Sequence, residues 1–93
     1  MIYIRRVRVS DPGMHSTQIA AVQYSFATTG ALWLMTREQA VRHIVSGKGC
    51  RSHNDTTRQQ AEVVVRQSAS GVPYITTAAD GVETNNLLAL PRF

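Results

Sequence analysis

Thr36-Arg37-Glu38-Gln39-Ala40-Val41-Arg42-His43-Ile44-Val45-Ser46-Gly47 is the stretch of this chain that reads as a helix, and it decides the fold class. Thr36 is a natural N-cap. Gln39, three residues on, completes a T-x-x-Q capping box in which side chains satisfy the first free N–H groups. Glu38 in the first turn and His43 near the last complement the helix dipole. Ala40, Val41, Ile44 and Val45 form an apolar stripe at helical spacing, with Arg37, Arg42 and Ser46 off it. Gly47 is placed to end the helix in left-handed conformation. A helix of about ten residues is marginal alone, so the stripe is expected to pack on a sheet.

The sheet is read on either side of this helix. Ile19 to Ala27 alternates, with Ala20, Val22, Tyr24 and Phe26 on one face and Gln23 and Ser25 on the other, as in a half-buried strand. Thr28-Thr29-Gly30 then makes a hairpin connection. Ala31 to Met35 is a continuous apolar run, which predicts a returning central strand covered on both faces. Residues 1–9 also alternate, but Ile2 and Ile4 differ in parity from Val7 and Val9. A slip of one residue turns side chains to the opposite face, so a β-bulge is expected near Arg5-Arg6. Ser10-Asp11-Pro12-Gly13 ends that strand.

After the helix, Lys48 to Gln60 is nearly devoid of apolar residues, which suits either a loop or a weak strand. Ala61 to Gln67 reads as a strand with Val63 and Val65 on one face, and Tyr74 to Thr77 as another, with Pro73 at its start or at a sheet edge. Asp80-Gly81 is a tight turn. Asn85 or Asn86 is placed to cap one helical turn over Leu87, Leu88 and Ala89, which Pro91 stops. The order β-β-β-α-β-β predicts an α+β fold. It would be a small antiparallel sheet of about five strands, one helix on one face, and a short capped C-terminal tail.

At 93 residues the chain is expected to be one domain spanning 1–93, and its 43% hydrophobic content is that of a folded globule. The few aromatics, Tyr3, Tyr24, Phe26, Trp33, Tyr74 and Phe93, are expected mostly in the core. Arg5 and Arg6 interrupt the N-terminus before any apolar run, which excludes a standard signal peptide, and no run approaches membrane-spanning length. A cytoplasmic location follows as the expectation.

The tail carries a resemblance. Tyr74-Ile75-Thr76-Thr77, Ala79-Asp80-Gly81 and Asn86-Leu87-Leu88-Ala89-Leu90-Pro91 resemble the C-terminal signature of short bacterial proteins of the domain-of-unknown-function family three-eight-nine-two. The likeness extends more loosely to Ile4 through Arg8, Ile19 through Tyr24 and the capped helix. Thr76 stands where such proteins often carry arginine, and Asn85 where they often carry aspartate. The family brings no activity. Asp80, Gly81, Asn86, Leu88, Leu90 and Pro91 are its structural signature, and physically they are a turn, a cap and a stop that set leucines against the core.

The formal charge is +4 and the pI about 10.0, and Lys48 is the one lysine among ten basic residues. Arginine makes planar, bidentate contacts with phosphates and carboxylates. Arg5, Arg6 and Arg8 cluster in the first strand, and Lys48, Arg51 and Arg58 in the polar stretch. On one shared face they would make a phosphate-binding patch. Arginines on an edge strand would equally serve to discourage aggregation.

Cys50 is the single cysteine, so no intrachain disulfide forms. Cys50-Arg51-Ser52-His53 has C-x-x-H spacing, but zinc wants four ligands and the second pair is missing. Cys50 with His53 or His43 could act as nucleophile and base, with Arg51 and Lys48 lowering the thiol pKa. The six acids form no catalytic pair, and Asp80 is explained by its turn.

The leading reading is therefore a non-enzymatic interaction module, taking a protein or small ligand at the sheet edge or the Lys48–Gln60 stretch. The second is weak phosphate-backbone binding of nucleic acid through Arg5, Arg6, Arg8, Arg51 and Arg58. The third is an enzyme using Cys50 or Asp80. No cofactor, metal or membrane is implied, no catalytic residue is assigned, and a homodimer is compatible.

Overall fold

The computed structural model describes residues 1–93. In chain order it has β1 (Ile2–Val9), a 3-10 turn (Ser16–Gln18), β2 (Ile19–Ser25), β3 (Trp33–Thr36) and α1 (Arg37–Val45). These are followed by β4 (Cys50–His53), β5 (Gln60–Gln67), β6 (Pro73–Ala79) and β7 (Val82–Thr84). The seven strands form one open sheet in the order β3-β2-β1-β4-β5-β6-β7. β1 and β4 run parallel, and every other neighbouring pair is antiparallel.

The helix produces the one parallel pair. Parallel neighbours need a crossover connection, and α1 carries the chain from β3, at one edge, past β2 and β1 to β4. Its capping box forms as expected: Thr36 Oγ1 accepts from the Gln39 amide at 3.2 Å, and Gln39 Oε1 accepts from the Thr36 amide at 2.9 Å. Gly47 follows the helix with φ of 91°. Of the expected stripe, Ala40 is fully buried and Val41 and Ile44 pack against the core, but Val45 is exposed. Val45 is the last helical residue and lines an open cleft with Val65 and Tyr74 rather than packing into the core.

The sheet departs from the expectation in three respects. It has seven strands rather than about five, because the polar stretch hides β4 and the three-residue β7 follows the Asp80-Gly81 turn. It is mixed rather than antiparallel. The apolar run ending at Met35 is not central: β3 pairs with β2 alone and forms the sheet edge. Trp33 and Leu34 are 56% and 63% exposed, and Phe26 is 67% exposed. A run without polar residues reads as a buried strand, but α1 begins at Arg37 and the next strand inserts beside β1. No later segment covers the outer side of β3, and no aromatic enters the buried core.

The bulge lies where the parity change puts it. Ile4 faces Tyr24 and Arg6 faces Gln23, so Arg5 is the extra residue. The skip returns Val7 to the interior with Ile2 and Ile4, all three buried. It also sets Tyr3, Arg6 and Arg8 on the opposite face by register. β1 lies inside the sheet, between β2 and β4, so its arginines do not guard an edge.

The tail closes the side of β1 that short β4 leaves open. The Val7 amide donates to Pro91 O at 3.0 Å and the Phe93 amide to Val7 O at 3.2 Å. Leu87 and Leu90 are buried, and Leu88 packs half-buried against the same cluster. Asp80 and Gly81 adopt φ of 51° and 77° between paired Ala79 and Val82, the two-residue hairpin expected of Asp-Gly. The asparagine cap does not form. Asn86 Oδ1 instead accepts from Thr84 Oγ1 at 2.7 Å, and its amide donates to Thr77 Oγ1 at 3.1 Å.

Candidate functional site

The bulge that corrects the parity of β1 also aims Arg5 sideways, into a wholly polar cleft. Its guanidinium donates to both carboxylate oxygens of Asp55, Nε to Oδ1 at 3.0 Å and Nη2 to Oδ2 at 2.9 Å. Nη1 donates to Gly30 O at 3.0 Å. One side chain thereby ties the β2–β3 loop to the β4–β5 turn. The hydrogen bond from Arg5, with its charge, holds the Asp55 carboxyl below the usual carboxylate range, and the same bond raises the Arg5 pKa.

The β4–β5 turn is built by its own side chains. Asn54 Oδ1 accepts from the Thr56 and Thr57 amides at 2.9 and 3.0 Å, the local competition with regular structure that makes asparagine a turn former. Arg58 closes the turn with φ of 64°, and its amide donates to Asn54 O at 2.7 Å. A non-glycine residue in this left-handed region costs about 1–2 kcal/mol. The turn thus projects Asp55 and Arg58 into the cleft that Arg5, Thr28, Thr29 and His53 complete, with a volume of about 450 Å3 and no apolar lining residue.

A chain of donors fixes His53. Arg51 Nε donates to Gln60 Oε1 at 3.2 Å, so the Gln60 amide nitrogen is the end 3.1 Å from His53 Nδ1. An NH2 group donates; Nδ1 accordingly accepts and the ring proton lies on Nε2, assigned from this network. Nε2 sits 3.8 Å from Asp55 Oδ1, too far for a hydrogen bond. Tyr3 meets the imidazole edge-on at 6.4 Å between centroids.

The five arginines singled out in the sequence do not share one task. Arg5 is engaged by Asp55. Arg8 donates to Phe93 O at 3.3 Å and lies 4.7 Å above the Phe93 ring, holding the tail. Arg51 orients Gln60. Arg6 and Arg58 are exposed. Sequence reasoning grouped Arg5 with a phosphate patch and passed over its partner Asp55, fifty residues away. The bulge was the one available signal that Arg5 leaves the strand's normal alternation.

Cys50 and His53 stand three apart on β4, and alternation puts them on opposite faces of the sheet. The C-x-x-H spacing therefore joins no common site. Burial pushes the Cys50 thiol up to about 12, the reverse of the lowering expected from Arg51 and Lys48. A buried thiol of this kind is not a poised nucleophile. Asp80 is an exposed turn residue with φ of 51°. No group of three or more histidine, cysteine, aspartate and glutamate side chains comes together. Thr76 is fully buried, its hydroxyl donating to Ser16 Oγ at 3.1 Å, so this position is interior here.

The second feature is the outer edge of β3. From Ile19 to Thr36 the chain has no charged residue and no proline, so this edge lacks two of the usual guards against strand pairing, and its protection is limited to its four-residue length. The opposite edge, β7, is three residues long and includes Glu83, which accepts from the Tyr74 hydroxyl at 2.9 Å.

The family model described as protein of unknown function, DUF3892, matches residues 3–91. The chain belongs to this family. No curated protein and no solved structure matches it. The DUF3892 description attaches no activity, so function is read from the cleft and the edge. No helix is long and apolar enough to cross a membrane.

Proposed function

We propose that this DUF3892 protein is a non-enzymatic interaction module that works by strand pairing along β3. The observation that carries the reading is the open, uncharged β3 edge with Trp33, Leu34 and Phe26 exposed beside it. An extended segment laid against such an edge gains main-chain hydrogen bonds, and side chains on both faces give specificity. Trp33 and Leu34 are consecutive, so they flank an incoming strand on opposite faces. Exposed tryptophan is also the residue type most often found at the energetic centre of an interface.

The first partner is a second copy. A two-fold axis brings identical edges together antiparallel, and an uncharged strand meets its copy without like-charge repulsion. Sedimentation of the wild type should give a concentration-dependent dimer that Leu34→Lys abolishes, while the variant melts cooperatively as a folded monomer at a temperature that no longer depends on protein concentration. A wild type that stays monomeric at all concentrations, with unprotected β3 amides, would remove self-pairing as the function.

Nucleic-acid backbone binding has thinner support. Arg6 and Arg51 share a face by register, but Arg5 and Arg8 already hold Asp55 and Phe93. The stacking platforms that single-strand binders use are few on that face: Tyr3 meets His53 edge-on, and Phe93 is already covered by Arg8.

A further inference from the structure

We propose that the cleft at the β1 bulge is a binding site for a small phosphate group, free or as a monoester. Its lining is Arg5, Thr28, Thr29, His53, Asp55 and Arg58, without one apolar residue. Two guanidinium groups face one carboxylate, so the lining has a net positive charge. The one carboxylate is already paired with Arg5 through both oxygens, so the charge left over in the lining is that of Arg58, and an anion is the complementary guest.

The donors are arranged in advance. Arg5 uses three of its five N–H groups on Asp55 and Gly30, so it is held rigid while two remain to donate. A guanidinium pre-oriented in this way loses little freedom on meeting a phosphate. Arg58 lines the same cleft and takes part in no ion pair. It does so from a left-handed backbone position that glycine or asparagine adopts at lower cost, in a turn that Asn54 fixes from three sides. His53, with its proton on Nε2, and the hydroxyls of Thr28 and Thr29 add neutral donors. Convergent charged and neutral donors on a rigid frame are what oxyanion recognition requires. The absence of any apolar wall argues against a ring or base in the cleft, so the ester carried by the phosphate would be small and polar.

The probe is inorganic phosphate, added at constant ionic strength and followed by amide NMR, with phosphoserine as the monoester arm. Saturable shifts confined to Arg5 and residues 28–30 and 53–58 are expected, with chloride giving none. Arg58→Ala should weaken the binding by about tenfold without changing the fold, since Arg58 is exposed. Arg42→Ala, on the helix, should bind as the wild type does. Tighter phosphoserine identifies an esterified ligand, and equal affinities identify free phosphate. No saturable shift with either probe overturns the proposal, as does an Arg58→Ala protein that binds like wild type. Binding of a DNA oligonucleotide alone, with shifts spread over Arg6, Arg8 and Arg51, overturns it in favour of a backbone-binding face.

Discussion

Replacing Asp55 by Asn tests the clamp that holds the cleft together. The substitution keeps the shape of the side chain and removes the charge that both Arg5 nitrogens address. Two charge-assisted hydrogen bonds at 2.9 and 3.0 Å are weakened, and such bonds contribute about 1.5–3 kcal/mol each when shielded. Shielding here is one-sided: the Arg5 side chain is 13% exposed and that of Asp55 is 40%. Solvent screens the carboxylate, and fully exposed pairs contribute only about 0.2–1 kcal/mol. The expected net loss is about 1–1.5 kcal/mol, or roughly 5–10 °C in the melting temperature of a domain this size.

The same pair gives a pH signature whose sign is fixed. The hydrogen bond from Arg5 lowers the folded-state pKa of Asp55 below its unfolded value of about 3.9. A depressed carboxyl contributes stability that is fully present above the unfolded value and lost as pH falls through the folded one. Thermal melts by circular dichroism should therefore show wild type above Asp55→Asn at neutral pH, with the gap closing in acid. A difference of less than about 2 °C at neutral pH, or a gap that persists unchanged in strong acid, would refute the clamp.

Two further outcomes follow from burial. Leu87→Ala should cost about 2–5 kcal/mol by urea denaturation, a large share of the roughly 5–14 kcal/mol that a chain of this length commands. Half-buried Leu88→Ala should cost clearly less, and equal costs would contradict the tail packing. Because its thiol is buried and raised to about 12, Cys50 should alkylate slowly in the native protein and rapidly in denaturant. Fast native labelling would return it to the candidates for chemistry.

Much of the local structure was legible from residues that act on near neighbours. Thr36 and Gln39 cap the helix because their partners lie three residues away. Asp80-Gly81 makes its hairpin because the backbone angles are a property of that dipeptide. The parity change between Ile4 and Val7 located the bulge because only a skipped residue reconciles the two halves. Reading failed where polarity and length gave no periodic signal. Cys50-Arg51-Ser52-His53 is a strand because β1 and β5 offer it backbone partners on both sides, not because its side chains favour one.

Sequence by itself determined the helix and its ends, the bulge and the Asp80-Gly81 turn, since each depends on short-range sterics and hydrogen bonding, and it carried the family signature. The tertiary structure alone decided that the apolar run ending at Met35 lies at an edge. Strand order depends on where α1 returns the chain, which no property of residues 31–35 encodes. It also decided the arginines' roles. Arg5 found Asp55 and Arg8 found Phe93 across fifty and eighty-five positions, contacts that chain reversal creates and composition cannot announce.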